Sequence, residues 1–452
     1  MVEPRIFREY DIRGVWDKDL TLDAVKAIGR AYAVYLKEGV KKEQPKVSIG
    51  YDARLSSPAI CQALTGVLNA SGVDVVDIGL VPTPVQYFSM RHLELDGGIM
   101  ITGSHNPAEF NGLKLTVGLE TIYGSKIQDI RKLVEKGATV SGKGSSEKFD
   151  ANKAYMEYVK PLFGDLSGIK VVVDAGNGTG GIVGPQLMRS LGAEVIELFC
   201  EPDGMFPNHH PDPVVLKNLT HMIDEVKKTG AHLGIGFDGD ADRIGVVDEE
   251  GNAVWGDRLM IIYARDLLRE NKGAAVIGEV KCSQTLYDDI TAHGGEAIMW
   301  KTGHSLIKKK MKETGALLAG EMSGHIFFAD RYFGYDDAPY AALRLLEILK
   351  KKGEPYRVGR LLEGVPETFS TPEIRVDCPD DRKFTIAPKM KEAFREYPVI
   401  DIDGVRINFP EGWGLIRASN TQPALVLRFE ATDEASLKKI QTTVEAELRK
   451  HT

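Results

Sequence analysis

The stretch that decides the fold contains a strand, a helix and a second strand. It begins with IKVVV at residues 169–173, continues through a mixed apolar segment and reaches LGAEVI at residues 191–196. Both ends read as short buried strands, and Gly192 stands where the helix between them would end. A strand, a helix and a strand in this order give parallel pairing. The stretch therefore predicts a parallel sheet with a helix against one face.

The same unit occurs in two other parts of the chain. An earlier copy runs from a strand at residues 46–51, through a helix that starts near Pro58, to a strand at residues 73–77. A later copy runs from residues 275–278 to residues 293–298. Copies that recur at intervals of roughly a hundred residues predict three related α/β domains with mainly parallel sheets.

The last part of the chain follows a different pattern. After about Gly364, prolines interrupt short strands, and a final helix is predicted at about residues 434–449. We interpret this part as a smaller α+β domain. The four predicted domains are residues 1–149, 150–250, 251–364 and 365–452.

Composition excludes several classes of protein. The net charge of −8 argues against a general nucleic-acid binder. No apolar run approaches the ~20 residues that a membrane helix requires, and the N-terminus does not resemble a secretion signal. The four cysteines are far apart, as is typical of reduced thiols. We therefore expect a cytoplasmic protein without nucleic-acid or membrane partners.

A serine stands at the end of a predicted strand. Residues 99–107 read IMITGSHNP, an apolar run that breaks into Gly103 and Pro107. The hydroxyl of Ser104 is thus presented on a loop at the end of a strand. The ordinary alternative is a turn serine that satisfies its own backbone. Three further polar loops that follow strand-like runs favour a chemical role, because together they supply what a phosphoryl-carrying serine needs.

The second loop carries three aspartates. In GFDGDADR, residues 236–243, the carboxylates of Asp238, Asp240 and Asp242 alternate with small residues, so in an extended loop they point the same way. Three anions on one side require a cation, and hard oxygen ligands suit Mg²⁺. One alternative is an EF-hand calcium loop, but Arg243 stands where the sharp turn needs glycine, and the flanks read as strands. A second alternative is a solvated acidic turn.

Two more loops have the composition of ligand-binding segments. In GEMSGH, residues 320–325, Glu321 and Ser323 fall on one face of an extended loop and offer acceptors and a donor to a polyhydroxy ligand. In RASNTQP, residues 417–423, Arg417 precedes hydroxyl and amide side chains, a combination suited to phosphate. A capped turn and an ordinary polar turn are the respective alternatives.

A glycine-rich segment suggests a competing function. GNGTGG at residues 176–181 has the spacing of a dinucleotide-binding loop. However, Asp174 and Ala175 separate the preceding strand from the first glycine, and a single match of this kind is a weak signal. A nucleotide-dependent oxidoreductase stays open as a weaker hypothesis.

Taken together, these loops resemble those of the α-D-phosphohexomutase family, and most closely its bacterial and archaeal phosphomannomutase/phosphoglucomutase branch. The resemblance runs in order over nearly the whole chain. The matching motifs are YDIRG at 10–14, TGSHNP at 102–107, DGDADR at 238–243, GEMSGH at 320–325 and RASNT at 417–421. It implies four domains around a central cleft, three of which share a fold.

The resemblance also implies a role for each site residue. Ser104 would be the phosphoserine, and Asp238, Asp240 and Asp242 would hold Mg²⁺ together with a phosphoryl oxygen on Ser104. Glu321 and Ser323 would bind sugar hydroxyls, and the non-reacting phosphate would be held by Arg417, Ser419, Asn420 and Thr421. Arg243 would approach the transferring phosphoryl group. The further cleft positions are Tyr10, Arg13, His105, Lys114, Lys281, His304 and His325, among which Lys114 and His304 are the expected general acid and base.

The implied reaction moves phosphate between O1 and O6 of a hexose, mannose or glucose, through a phosphoserine enzyme and a hexose 1,6-bisphosphate. Sugar phosphates are the expected partners, and the bisphosphate is both activator and intermediate. Phosphoglucosamine mutase is the alternative within the family, although such enzymes usually have Gln where Met322 stands. Outside the family, a serine hydrolase and a non-catalytic sugar-phosphate-binding protein stay open. The sequence leaves open whether the protein is a monomer or a dimer.

Overall fold

The computed structural model describes residues 2–420 and 423–451. Within these residues the chain forms four sheets that follow one another along the sequence. Single short 3₁₀ turns lie at Pro4–Ile6, Lys160–Leu162, Leu216–Leu219 and Val358–Leu362. Among the described helices, none is both long and apolar enough to cross a bilayer.

The first sheet has seven strands. These are β1 (Ile12–Val15), β2 (Lys46–Tyr51), β3 (Asp74–Leu80), β4 (Gly97–Ile101), β5 (Phe110–Val117), β6 (Glu120–Thr121) and β7 (Ser146–Lys148). The helices are α1 (Leu22–Val40), α2 (Ser57–Ala70), α3 (Thr83–His92) and α4 (Ser125–Glu135). The order is β1-β5-β4-β2-β3-β7, with β6 on β5, and β4, β2, β3 and β7 run parallel.

The second sheet has five strands. These are β8 (Lys170–Asp174), β9 (Glu194–Leu198), β10 (Leu233–Phe237), β11 (Ile244–Asp248) and β12 (Ala253–Val254). The helices are α5 (Ala151–Val159), α6 (Gly180–Ser190) and α7 (Thr220–Thr229). The order is β12-β11-β10-β8-β9, in which β10, β8 and β9 are parallel and β11 is antiparallel to β10.

The third sheet has four strands. These are β13 (Ala275–Glu279), β14 (Glu296–Trp300), β15 (Leu318–Gly320) and β16 (Ile326–Phe328). The helices are α8 (Gly256–Glu270), α9 (Gln284–Ala292), α10 (His304–Thr314) and α11 (Ala338–Lys352). The order is β14-β13-β15-β16, again with three parallel strands and a last antiparallel one.

The three sheets share one topology. In each, the first parallel strand lies between the second and the third, and a fourth strand pairs antiparallel with the third. The turn between the third and fourth strands is therefore the same element in each unit. It joins β4 to β5 around Ser104, β10 to β11 around the aspartates, and β15 to β16 around Glu321. Three of the predicted loops are thus topologically equivalent.

The fourth sheet is antiparallel. Its strands are β17 (Phe369–Ser370), β18 (Ile374–Asp377), β19 (Val399–Ile400), β20 (Val405–Phe409), β21 (Gly412–Ala418) and β22 (Ala424–Ala431), and its helices are α12 (Asp380–Ala393) and α13 (Glu434–Leu448). The order is β17-β22-β21-β20-β19, with β18 also on β22. The predicted fold class, three related α/β units and a smaller α+β unit, is confirmed.

Apolar packing joins the first three units into one body. A single core contains Phe88 of α3, Phe237 of β10 and Tyr340 of α11, all of them 2% exposed or less. The fourth unit has its own core. It meets the third unit through a small cluster that includes Val280 and Trp413. Since burial of this apolar area is the main favourable term in folding, it holds the three equivalent turns in fixed positions.

Candidate active site

Ser104 lies in a buried turn directly after β4. Its backbone has a φ of +48°, a left-handed conformation that costs energy for a residue with a side chain. The hydroxyl donates to Asp238 Oδ2 at 2.9 Å and lies 3.0 Å from His105 Nδ1. The serine therefore faces the aspartate loop rather than its own backbone.

The buried guanidinium of Arg54 shapes this turn. It donates to the backbone carbonyls of Ser104, Asn106, Pro107 and Phe110, and it pairs with Asp52 at 3.0 Å. Asp52 in turn accepts a hydrogen bond from the amide of Gly103. A Cβ atom at Gly103 would lie only 2.4 Å from the Arg54 guanidinium, so a larger residue does not fit there. Such a network fixes the four carbonyls, and with them the backbone of the serine turn, in position.

The aspartate loop is a tight turn and not the extended segment that the sequence pattern predicts. Ala241 has a φ of +55°, and Asp238 Oδ1 accepts from the amides of Asp242 and Arg243, both at 3.1 Å. The three carboxylates converge because the turn curls around them. The flanks are strands, as predicted, and they distinguish the loop from an EF-hand. Gly239 lies so close to the Ser104 carbonyl that a Cβ there would be 2.5 Å from its oxygen.

The three carboxylates form a group that could hold a metal ion. Asp238, Asp240 and Asp242 are at most 1% exposed, and one oxygen from each lies within 4.8 Å of the other two. One oxygen of Asp240 and one of Asp242 have no hydrogen-bond partner among the described residues. Buried, converging and partly unsatisfied carboxylate oxygens fit Mg²⁺, a hard cation that prefers oxygen ligands.

Lys114, on β5, neutralises part of this charge. Its ammonium lies 2.7 Å from Asp240 and 2.5 Å from Asp242. Burial acts to lower the pKa of Lys114, but the two carboxylates raise it well above its usual value. Burial and the neighbouring Asp240 and Asp242 raise the pKa of Asp238 well above its usual range. Lys114 is therefore a fixed cation beside the serine.

Arg243 and two histidines adjoin the carboxylates, with His325 Nδ1 3.5 Å from Asp242 Oδ1. Arg243 Nε donates to His325 Nε2 at 3.0 Å, and the His325 ring stacks on His304 with centroids 5.4 Å apart. Asp336 lies 3.1 Å from His325 Nδ1 and 3.3 Å from His304 Nδ1. Burial lowers the pKa of His304, and the positive charge of Lys308 lowers it further, so the imidazole is neutral near pH 7.

The third loop is also a turn, which corrects the extended geometry expected for it. Gly324 has a φ of +89°, and the Ser323 hydroxyl donates to Glu321 Oε2 at 2.9 Å. The other Glu321 oxygen accepts from the amide of Gly303 at 3.1 Å. The loop is thereby tied to the segment that precedes His304.

Tyr10 and Arg13 come from the N-terminal segment. The Tyr10 hydroxyl donates to the Thr302 carbonyl at 2.9 Å and accepts from Asn420 Nδ2 at 2.6 Å. Burial raises the pKa of Tyr10, so its hydroxyl stays protonated. Arg13 donates to Asn106 Oδ1 at 2.9 Å, beside the serine turn. The first, third and fourth units therefore meet at one tyrosine.

The predicted phosphate loop begins with the last two residues of β21, Arg417 and Ala418. Arg417 is 6% exposed and donates to Asp403 Oδ2 at 3.0 Å, and the same oxygen accepts from the Thr302 amide at 3.1 Å. Ser419 is buried, and its amide donates to the Ala424 carbonyl at 2.8 Å. Thr421 lies outside the described residues. Asn420 reaches Tyr10, so this loop adjoins the other predicted loops.

Lys281 lies where the third and fourth units meet. Its ammonium is 3.3 Å from Glu373 and 3.8 Å from Glu279. Burial acts to raise the pKa of Glu373, but Lys281 and then Arg375 lower it to about 2. The structure thus ties Lys281 to carboxylates of both units.

Five residues that shape the site were not among those predicted from the sequence. They are Arg54, Thr83, Glu279, Asp336 and Asp403. Thr83 donates to Asp240 Oδ2 at 2.5 Å, and Glu279 accepts from the hydroxyl of Thr302 at 2.7 Å. For Arg54 a signal exists, since it follows β2, whose carboxyl end lies beside that of β4. The others bear on the site only through tertiary contacts.

The glycines at residues 176–181 have a packing role. A Cβ at Gly178 would lie 2.7 Å from the Gly239 carbonyl oxygen, and one at Gly181 would lie 2.0 Å from that of Cys200. The amide of Thr179 donates to the Gly239 carbonyl at 3.1 Å. The segment therefore supports the aspartate loop, and its spacing needs no dinucleotide to explain it.

Four family profiles match the chain in order. They are described as phosphoglucomutase/phosphomannomutase alpha/beta/alpha domain I over residues 4–140, domain II over 153–251, domain III over 255–369 and the C-terminal domain over 373–447. The chain belongs to the phosphoglucomutase/phosphomannomutase family. The predicted family and the predicted class of enzyme, a phosphohexomutase, are confirmed.

Individual relatives agree with this assignment. A phosphomannomutase/phosphoglucomutase of Pseudomonas syringae pv. tomato is 48% identical over 98% of this chain and 95% of its own length. A phosphoglucomutase of Neisseria gonorrhoeae is 45% identical over 98% of this chain and 96% of its own. A crystal structure of a phosphoglucomutase/phosphomannomutase family protein from Burkholderia thailandensis superposes with a TM-score of 0.93, at 42% identity, over 100% of this chain and 98% of that one. These relatives lend no support to the phosphoglucosamine alternative.

Proposed function

We propose that this phosphohexomutase interconverts hexose 1-phosphates and hexose 6-phosphates through a phosphoryl group carried on Ser104. The observation that carries the proposal is the 2.9 Å hydrogen bond between Ser104 Oγ and Asp238 Oδ2. It places a hydroxyl on buried carboxylates, with Lys114 and Arg243 close by. Phosphoryl transfer needs mainly positioning and charge neutralisation, and this cluster offers both.

Asp238, Asp240 and Asp242 are the residues that would hold Mg²⁺. The ion would supply neutralisation of the charge that develops on the transferring phosphoryl group. The oxygens of Asp240 and Asp242 that accept no hydrogen bond from the described residues support this assignment. Thr83 and Lys114 hold the other oxygen of Asp240, so its carboxylate is fixed in orientation.

In the proposed first step, a free sugar hydroxyl oxygen forms a bond to the phosphorus of phospho-Ser104, and the bond from phosphorus to Ser104 Oγ breaks. The product is a hexose 1,6-bisphosphate and the serine alkoxide, which takes up one proton from solvent. The sugar hydroxyl loses one proton, for which neutral His304 is the acceptor that we propose. Lys114 and Arg243 balance negative charge around Ser104, and His105 Nδ1 lies 3.0 Å from the Ser104 hydroxyl as a hydrogen-bond partner. The second step reverses these bond changes with the other phosphate.

The remaining contacts fit the orientation of a sugar that must turn over. Glu321 and Ser323 are assigned to the sugar hydroxyls, with His325, Tyr10 and Arg13 around them. Arg417, Ser419, Asn420 and Thr421, together with Lys281, are assigned to the phosphate that is not transferred. A guanidinium binds phosphate bidentately, which suits a site that must accept the same group in two sugar orientations.

The geometry gives less support to the hydrolase and sensor hypotheses. In a serine hydrolase, the acid orients the histidine, whereas here Asp238 binds the Ser104 hydroxyl directly. A sugar-phosphate sensor has no need of three buried carboxylates, whose desolvation is costly. We also propose a cytoplasmic location, which is supported by four cysteines that are all buried and unpaired.

A mutase assay with both sugars tests this proposal. The enzyme should convert glucose 1-phosphate and mannose 1-phosphate to their 6-phosphates with similar kcat/KM, and added hexose 1,6-bisphosphate should accelerate both. A preference above about a hundredfold, roughly 2.7 kcal/mol, would contradict the dual specificity. Release of inorganic phosphate in place of isomerisation would contradict the mutase mechanism.

A further inference from the structure

A second cavity lies between the first and third units, apart from the predicted catalytic cleft. Its volume is about 570 Å³, within the range of small-ligand sites. Helices α3 and α10 and strand β5 contribute to its wall. Its lining includes none of the residues assigned above to the serine, the carboxylates, the sugar or the phosphate. It is therefore not part of the site already described.

Cations dominate the wall of this cavity. The charged residues that line it are Arg91, Lys126, Lys308, Lys309 and Lys312, against one carboxylate, Glu120. Glu120 pairs with Lys126 at 2.8 Å. Lys312 has no salt bridge among the described residues and lies exposed at the rim. Lys308 lies 3.2 Å from Asp336 and Lys309 lies 3.8 Å from Glu313, so Arg91 and Lys312 are the cations of this wall that have no salt bridge among the described residues. These two cations favour an anionic ligand.

The floor offers hydroxyl groups that have no partner. Thr116 and Ser305 are 2% and 3% exposed and line the cavity. Neither hydroxyl has a hydrogen-bond partner among the described residues. Because a buried polar group without a partner costs free energy, two such groups in one cavity indicate a polar ligand or solvent at this floor.

Aromatic rings form the rest of the wall. Tyr87, Tyr123, Phe333 and Tyr335 line the cavity. Lys308 Nζ lies 4.3 Å from the centroid of the Tyr87 ring, and the Arg91 guanidinium lies 5.1 Å from that of Phe333. Rings beside cations are the surroundings in which a planar base stacks while its phosphates meet ammonium and guanidinium groups.

We propose that this cavity binds a nucleoside diphosphate. Such a ligand carries about three negative charges at neutral pH, and its phosphates would meet Arg91 and Lys312. Its base would contact the aromatic wall, and its hydroxyl and phosphate oxygens would satisfy Thr116 and Ser305. A simple hexose phosphate lacks the planar ring that this wall favours.

Isothermal titration of the full-length protein with ADP, GDP and UDP tests the proposal. Glucose 1,6-bisphosphate is kept saturating so that the catalytic cleft is filled. At least one nucleotide should bind with its Kd unchanged by the bisphosphate. Failure of all three to bind at millimolar concentration, or their displacement by the bisphosphate, would overturn the proposal. Equally tight binding of pyrophosphate would overturn the role of the ring.

Matched substitutions on α10 locate the site. Lys312→Glu reverses a charge at the rim and should raise the Kd by about tenfold or more. Lys310→Glu is the control, since Lys310 lies on the same helix but over the Trp300 ring, 4.2 Å from its centroid. Its Kd should stay within about twofold of the wild-type value. An equal effect of the two substitutions, or a larger effect of Arg417→Ala, would place the nucleotide elsewhere and refute the proposal.

Discussion

The hydroxyl of Ser104 donates a 2.9 Å hydrogen bond to Asp238, 134 residues further along the chain. Each residue lies in the turn between the third and fourth strands of its own α/β unit. The two turns approach so closely that Gly239 has no room for a Cβ beside the Ser104 carbonyl. The docking of the units therefore assembles the serine and the carboxylates into one cluster.

Removal of divalent cations should abolish turnover. Asp238, Asp240 and Asp242 converge, two of their oxygens accept no hydrogen bond from the described residues, and we expect that bound Mg²⁺ completes this cluster. Mg²⁺ should restore activity after chelation better than Ca²⁺, which prefers larger and more flexible coordination. The measurement is kcat during metal titration of chelated enzyme. Full activity in excess chelator would contradict the assignment.

Arg54→Lys should impair phosphoryl transfer although Arg54 is not assigned to the substrate. A lysine cannot donate to four carbonyls at once, so the Ser104 turn loses its fixed shape. We expect kcat to fall by about 10–100-fold, as one or two lost charged hydrogen bonds imply. The measurement is kcat together with the melting temperature.

Arg265→Lys is the matched control for Arg54. Like Arg54, Arg265 pairs with a carboxylate, that of Asp289 at 2.6 Å, and donates hydrogen bonds to backbone carbonyls, those of Leu361 and Glu363. It lies away from the serine turn, so its substitution should lower the melting temperature without the loss in kcat. Equal losses of kcat in the two variants would show that Arg54 acts through stability alone.

Arg417→Ala should weaken the reaction in both directions by similar factors. If one site holds the phosphate that is not transferred, both the 1-phosphate and the 6-phosphate depend on it. The expected loss in kcat/KM is about 10–100-fold, and Lys should restore little of it. The forward and reverse kcat/KM values decide the matter. A loss confined to one substrate would mean that the two phosphates use different sites.

Much of the fold was predictable because it depends on local pattern. The apolar runs and the glycines that end helices placed β2 and α2 at nearly the observed bounds. The repeat predicted three units of one topology. The sequence could not give the order of strands within a sheet, since strand pairing depends on contacts between residues far apart in the chain.

The sequence indicated candidate residues for the site but not the geometry that the structure gives them. The alternation of Asp238, Asp240 and Asp242 suggested a shared direction, but the reason is a turn at Ala241 with positive φ and not extended backbone. Asp336 is fully buried beside His304 and His325, yet its surroundings in the sequence contain no phosphate or metal motif. Such residues become visible only when helices and turns from different units are packed together.

The stability of the protein should depend on Asp337 at mildly acid pH. This residue caps α11 and accepts from the hydroxyls of Tyr155 and Tyr332, and burial raises its pKa to about 6. A carboxyl whose pKa is raised on folding adds stability that is complete below pH 3.8 and is lost as the pH rises through about 6. The ionisation of Asp337 should therefore lower the free energy of unfolding by ~3 kcal/mol.

Asp337→Asn removes this titration and keeps an N-cap residue. Between pH 4 and pH 7, about the window in which the group ionises, the melting temperature of the variant should fall less than that of the wild type. The control is Asp150→Asn, at the exposed N-cap of α5. A fall in the Asp337 variant as steep as in the wild type would assign the pH dependence to other groups.

The mass of the intact protein tests the central claim, that Ser104 carries the transferred phosphate. After incubation with glucose 1,6-bisphosphate, the wild-type protein should be heavier by one phosphate, and peptide mapping should place that phosphate on Ser104. Excess glucose 6-phosphate should remove it with formation of bisphosphate. Ser104→Ala should stay folded, gain no phosphate and lose nearly all turnover. A phosphate retained on the Ser104→Ala protein at the wild-type level, or wild-type turnover without any phosphorylated enzyme, would contradict the account.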